Sequence, residues 1–169
     1  MFSSARFGAL SIVVSTTLRV VALPTQAQYN AIPFSPGFDI NQVLNLAQSL
    51  PSHSWEFGTA SEALLELYNP SNSVFGDQPF PVPTLSQSGT PSLSYASSKI
   101  QIGAPPNVLA NGEGSAGDPA SLGVSAVLLG KTDKTMANGA AAELRYLLDN
   151  APKYSNGAIS SRTGSAELW

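Results

Sequence analysis

The sequence predicts an all-α fold, and three observations carry that prediction. Apolar residues recur at i, i+3 and i+4 in several windows. Those windows open on capping residues and close on proline or glycine. No segment alternates apolar and polar residues over a strand's length, and no repeat of fixed period is present.

The first helix is expected over 39–50. Asp39 and Gln42 stand at capping-box spacing, Ile40, Val43, Leu44 and Ala47 share one face, and Pro51 stops the run. The second is expected over 59–68. Thr59 and Glu62 repeat the spacing, Ala60, Ala63, Leu64 and Leu67 form the stripe, and Asn69-Pro70 ends it. Residues 69–117 then read as a long irregular region rich in Pro, Ser and Gly. One short helix, 92–100, is expected inside it after Pro91, against the turn preference of its serines.

The segment 118–130 has the clearest helix grammar. Asp118 suits the N-cap, Pro119 the first helical position and Gly130 the left-handed residue after the end. Leu122, Val124, Ala126, Val127, Leu128 and Leu129 cover most of its circumference, which predicts a helix enclosed by neighbours. The last helix is expected from Asp133 to about Asn150. Ala137, Ala140, Ala141, Leu144, Leu147 and Leu148 are its apolar face, and Ala151-Pro152 ends it.

Composition limits the function. Of 169 residues, 43% are apolar and 11% charged, with 14 Gly and 13 Pro, which describes a globular, loop-rich chain. The net charge of −3 and the lack of any Lys/Arg run argue against nucleic acid as a partner. With no cysteine, disulfides, zinc–thiolate sites and thiol nucleophiles are excluded. A single histidine, His53, makes a metal site or a Ser-His triad a poor expectation, and no cofactor is implied.

Residues 1–27 read as a secretory signal peptide. Arg6 supplies the basic region, Phe7 to Val14 the apolar stretch, and Thr25-Gln26-Ala27 the small-residue cleavage site. An uncleaved interfacial segment is the alternative, and Arg19 disfavours a spanning helix, so no stable membrane insertion is expected. Cleavage would leave residues 28–169, with 6 basic and 11 acidic residues, as a secreted, extracellular chain.

Four features bear on chemistry. Trp55 beside Glu56, ahead of the second helix, is how a sugar subsite is often built, with the ring on the pyranose and the carboxylate on its hydroxyls. A buried Trp with a solvated Glu is the alternative. Asp118 is fully explained as an N-cap, its carboxylate accepting from the N–H of residue 120 or 121. Arg162 suits a carboxylate-bearing ligand, or is an exposed surface residue. Glu167 and Trp169 carry no reading of their own. The tract LANGEGSAGDP lacks the strand and the Gly-Lys-Ser/Thr ending of a phosphate loop.

Several segments, in order, resemble the fungal six-hairpin glycosidases, which are similar to the unsaturated glucuronyl and rhamnogalacturonyl hydrolases. They are WEFGTASEALLELYNPS, GDPASLGVSAVLLGKTD, AAAELRYLLDNAPK and NGAISSRTGSAELW, and the match covers roughly 37–169. The specific part is the combination of Trp-x-x-Gly, Gly-Asp-Pro before an apolar helix, and Gly-x-Ile-Ser-x-Arg followed by Glu-Leu-Trp.

The resemblance implies a partial (α/α)6 toroid of antiparallel helical hairpins around a sugar-holding funnel. It implies a reaction on oligosaccharides or polysaccharide fragments that end in an unsaturated uronic acid. An acid protonates the C4=C5 double bond, water adds at C5, and the hemiketal collapses to release the next sugar. A pair of aspartates performs this in the family, unlike the flanking carboxylates of ordinary glycosidases. One stands at a helix start, where Asp118 stands here, and an aromatic near the substrate is similar to Trp55. Glu56 and Arg162 are the further expected sugar contacts. The family's proton donor lies just beyond the Leu-Trp of the last motif. The chain ends at Trp169, so an inactive leading portion is expected. Ser161 also stands where the family usually has His. The alternative is a non-catalytic secreted carbohydrate-binding or interaction protein.

Overall fold

A computed structural model describes residues 34–166. The predicted signal peptide, and Glu167 with Trp169, lie outside the described residues. The described chain is helical. Five α-helices run in order: α1, Ile40–Ser49; α2, Ser54–Tyr68; α3, Pro91–Lys99; α4, Gly123–Leu129; and α5, Lys134–Arg145. Short 3₁₀ turns at Pro70–Asn72 and Pro119–Leu122 and a π turn at Tyr146–Asn150 complete them. Among the described residues there is no strand, only two isolated bridges. None of their helices is long and apolar enough to cross a membrane.

Asp39 caps α1 as the sequence predicts, its carboxylate accepting from the Asn41 N–H at 2.9 Å, but without the Gln42 half of the expected capping box. None of its residues is buried, and Val43, Leu46 and Leu50 remain exposed. α2 begins earlier than expected. It opens at Ser54, so Trp55 and Glu56 lie inside its first turn rather than ahead of it. Thr59 is not a cap, because its hydroxyl donates at 2.8 Å to the Trp55 carbonyl, one turn back within the helix. The cap is set by Glu56, whose Oε2 accepts from the His53 N–H at 2.9 Å and the Ser52 N–H at 2.6 Å.

α3 occupies the predicted place, with Pro91 at its first position. Leu64 and Leu65 of α2 and Leu93 of α3 are almost wholly buried. Leu65 and Leu93 share the main core with Ala126, Leu128 and Leu129 of α4 and with Leu109 and Leu122. The irregular region 69–117 is therefore not a surface loop throughout. Val108, Leu109 and Ala110 are part of the interior.

The segment 118–130 differs from its predicted grammar at both ends. Asp118 has helical backbone angles, φ −61° and ψ −44°, and its carboxylate makes no cap. An N-cap needs an extended backbone to turn its side chain over the first N–H groups. Gly130 is right-handed, with φ −61°, rather than left-handed. Glycine is required there for close approach instead, since a Cβ would sit 2.8 Å from Ala137 Cα. Enclosure is also incomplete, because Val127 is 44% exposed.

α5, with its π turn, buries only part of the predicted apolar face: Ala140 and Leu147 pack against the core, but the most buried residues are others. Its buried residues are Gly139 and Glu143, followed by Tyr146 in the π turn, whereas Leu144 and Leu148 are exposed. The 102–110 segment explains the choice. Ile102 and Leu109 fill the space beside Gly139, where a Cβ would meet Ile102 Cδ1 at 2.6 Å. Glu143 satisfies the buried N–H groups of Val108 and Leu109 at 3.1 and 3.2 Å.

Candidate functional site

The first turn of α2 faces an open cleft of about 820 Å³. Its walls include Trp55 and Glu56 from that turn, Glu113 from the 111–115 turn, Asp118 ahead of α4, and Arg162 near the end of the described chain. The four residues singled out in the sequence, Trp55, Glu56, Asp118 and Arg162, thus border one cavity.

Each is held by local structure. Trp55 is 50% exposed, so it is not the buried Trp of the alternative reading. It also borders an apolar shelf with Val43 and Leu46 of α1 and with Leu50, which follows the helix. Glu56 is tied down rather than simply solvated. Hydrogen bonds from the backbone N–H groups of Ser52 and His53 hold its pKa below the usual carboxylate value, outweighing the opposing effect of burial. With Oε2 committed to the cap, Oε1 is the oxygen left for a ligand.

Asp118, relieved of capping, accepts from the Ser115 hydroxyl at 2.6 Å. Its backbone carbonyl receives the Ser121 hydroxyl at 2.6 Å, and the same hydroxyl lies 3.0 Å from the Ser54 carbonyl. That hydroxyl fixes the Asp118 turn against the start of α2. Gly58 allows the approach, since a Cβ there would lie 2.6 Å from the Ser121 carbonyl carbon. Arg162 forms an isolated antiparallel bridge with Ser115. Ala116 N–H donates to the Ser161 carbonyl, and Thr163 N–H to the Gly114 carbonyl, both at 2.9 Å. Arg162 is half-buried and delivered by paired backbone, which replaces the free surface arginine of the alternative reading.

Two further residues belong to the cleft. His53 Nδ1 lies 3.2 Å from Glu113 Oε2, linking the α2 cap to the 111–115 turn. Glu113 adopts φ +51°, a left-handed conformation uncommon for a residue with a Cβ. Asn111 Oδ1 steadies it by accepting the Glu113 N–H at 3.0 Å. The Asn111-Gly112 turn dipeptide and the Glu56-to-His53 spacing were the available sequence signals. Nothing local could reveal the pairing of His53 with a residue 60 positions away.

Chemically, the cleft offers an aromatic face, a guanidinium, a histidine and three carboxylates. Among the described residues no cluster of three His, Cys, Asp or Glu is placed to hold a metal ion. A ring face beside directional acceptors and one guanidinium suits a polar ring compound bearing a carboxylate. No protein-family model matches the chain, and no curated protein or solved structure is found to be similar to it.

Proposed function

We propose that the chain belongs to a secreted glycoside hydrolase acting on oligosaccharides that end in an unsaturated uronic acid, with that sugar seated in the cleft at the start of α2. The carrying observation is convergence. Trp55, Glu56, Asp118 and Arg162 come from three separate segments and border one cavity. In this reading the helices are part of a six-hairpin ring. Trp55 stacks on the pyranose, Glu56 Oε1 accepts from its hydroxyls, and Arg162 pairs with the uronate carboxylate. Asp118 is one of the two aspartates that hydrate the C4=C5 bond. Three acidic residues would repel a uronate, so Arg162 carries the electrostatics of recognition.

A second reading, non-catalytic carbohydrate binding, is favoured by one observation. Asp118 is the sole aspartate among the described residues lining the cleft. Both readings are tested by titrating the chain with an unsaturated uronyl disaccharide and following the Trp55 and Arg162 resonances. Binding that weakens about tenfold or more in Trp55→Ala and in Arg162→Ala is expected, where each tenfold is about 1.4 kcal/mol. No shift at either residue would overturn both readings. Loss of the ultraviolet absorbance of the C4=C5 bond would establish hydration, whereas binding without that loss fits both the second reading and a hydrolase site that holds only Asp118 of the aspartate pair among the described residues.

A further inference from the structure

A second concavity, of about 450 Å³, lies between the 72–82 segment, α4 and α5. It shares no lining residue with the sugar cleft. Phe80, Val124, Val127, Leu144 and Leu147 form its apolar walls. Phe80 is 79% exposed, Leu144 56% and Val127 44%, more open apolar surface than a packed interior leaves. The volume is that of a small-molecule pocket.

One side chain in this groove is out of keeping with the rest. Glu143 lines it and is only 2% exposed. Its Oε2 accepts from the N–H groups of Val108 and Leu109. Its Oε1 is buried and meets no hydrogen-bond partner. A buried carboxyl oxygen without a donor is costly, and most such atoms in folded proteins find one. No Lys, Arg or His stands among the described residues that line the groove, so the charge has no counter-charge there.

The geometry points to a binding site for an amphiphilic amine, a small molecule with an apolar body and one ammonium head. The body lies along Phe80, Val124, Val127 and Leu144, and the ammonium donates to Glu143 Oε1. Burial raises the Glu143 pKa and the paired N–H donors at Oε2 only partly offset it, so a cation at Oε1 is what would tip the carboxyl to its ionised form. A neutral head would supply a hydrogen bond but leave the charge unbalanced, whereas an ammonium supplies both.

The test uses the full chain with phenylpropylamine and its uncharged counterpart phenylpropanol, followed by methyl shifts at Val127 and Leu144. The amine is expected to bind about tenfold or more tightly than the alcohol. Glu143→Gln keeps an acceptor for Val108 and Leu109 and should abolish that preference. Val127→Lys, at a wall position that is 44% exposed, should weaken the amine about tenfold by placing a like charge in the groove. Equal binding of amine and alcohol overturns the proposal, as does amine binding indifferent to Val127→Lys. Self-association in sedimentation that Val127→Lys abolishes, without amine binding, would assign the groove to a second copy of the chain and also overturn it.

Discussion

Glu56 and Glu143 are both helical glutamates, and their surroundings move their acidities in opposite directions. For Glu56, backbone donors from Ser52 and His53 lower the pKa below 4.5. Its contribution to stability is present above that value and is lost as pH falls through the folded pKa. For Glu143, burial raises the pKa above 4.5, and the N–H groups of Leu109 and Val108 only partly offset it. The native state then holds the proton more tightly than the unfolded chain does. Stability falls as pH rises from about the unfolded value toward the raised one. Tyr146, whose hydroxyl is raised by burial and then by the Glu143 charge, is the titratable neighbour facing it. Glu62 moves the same way as Glu143, by burial and then by Glu66. Glu143→Gln is therefore expected to gain stability relative to the native chain as pH is raised from 4.5 toward neutrality, measured by urea unfolding at each pH. Parallel pH profiles for the two chains would show that Glu143 is not strained by its burial.

α2 connects the fold to the site. Its first turn carries Trp55 and Glu56, its next turn carries Gly58, and Leu64 and Leu65 anchor it in the core. Gly58→Ala would drive a Cβ to 2.6 Å from the Ser121 carbonyl carbon, a backbone atom that cannot rotate away. The expected cost is about 1–3 kcal/mol, and the turn bearing Asp118 must shift with Ser121. A drop in the thermal midpoint accompanied by weaker uronide binding would agree. An unchanged midpoint would mean that this crossing is loose. The same helix shows where sequence signals fail. Its body and end were legible from the leucine stripe and Asn69-Pro70. Its beginning was not, because His53 is a poor cap by composition and Thr59 with Glu62 imitates a capping box. α3 and α5 could be located from Pro91 and Asp133, which act locally. The most buried residues of α5 could not, because Gly139 and Glu143 are chosen by the 102–110 segment, far away in sequence. The site residues were legible by type, through an aromatic, two carboxylates and a guanidinium. Asp118's release from capping depended on its backbone angles, and Glu113 on a left-handed turn.

The candidate cleft is assembled across most of the described chain, from the start of α2 to the segment that carries Arg162. The closure depends on two backbone hydrogen bonds, Ala116 N–H to Ser161 O and Thr163 N–H to Gly114 O, flanking the Ser115–Arg162 bridge. Each contributes only about 0.5–1.5 kcal/mol, so the closure is a low-energy feature on a core that does not need it. Two variants separate positioning from contact. Thr163→Pro removes the N–H that reaches Gly114 and restricts Arg162 before it. It should speed hydrogen exchange at the Ala116 amide, weaken uronide binding and leave the core amides of Leu65 and Leu93 protected. Arg162→Ala keeps the backbone pairing, so it should weaken binding while Ala116 exchanges at the native rate. If Thr163→Pro leaves both the Ala116 exchange and the affinity unchanged, the pairing does not hold Arg162 in the cleft. If Arg162→Ala alone speeds exchange at Ala116, the guanidinium is a strut for the 112–118 turn, and recognition of the uronate must fall to another group.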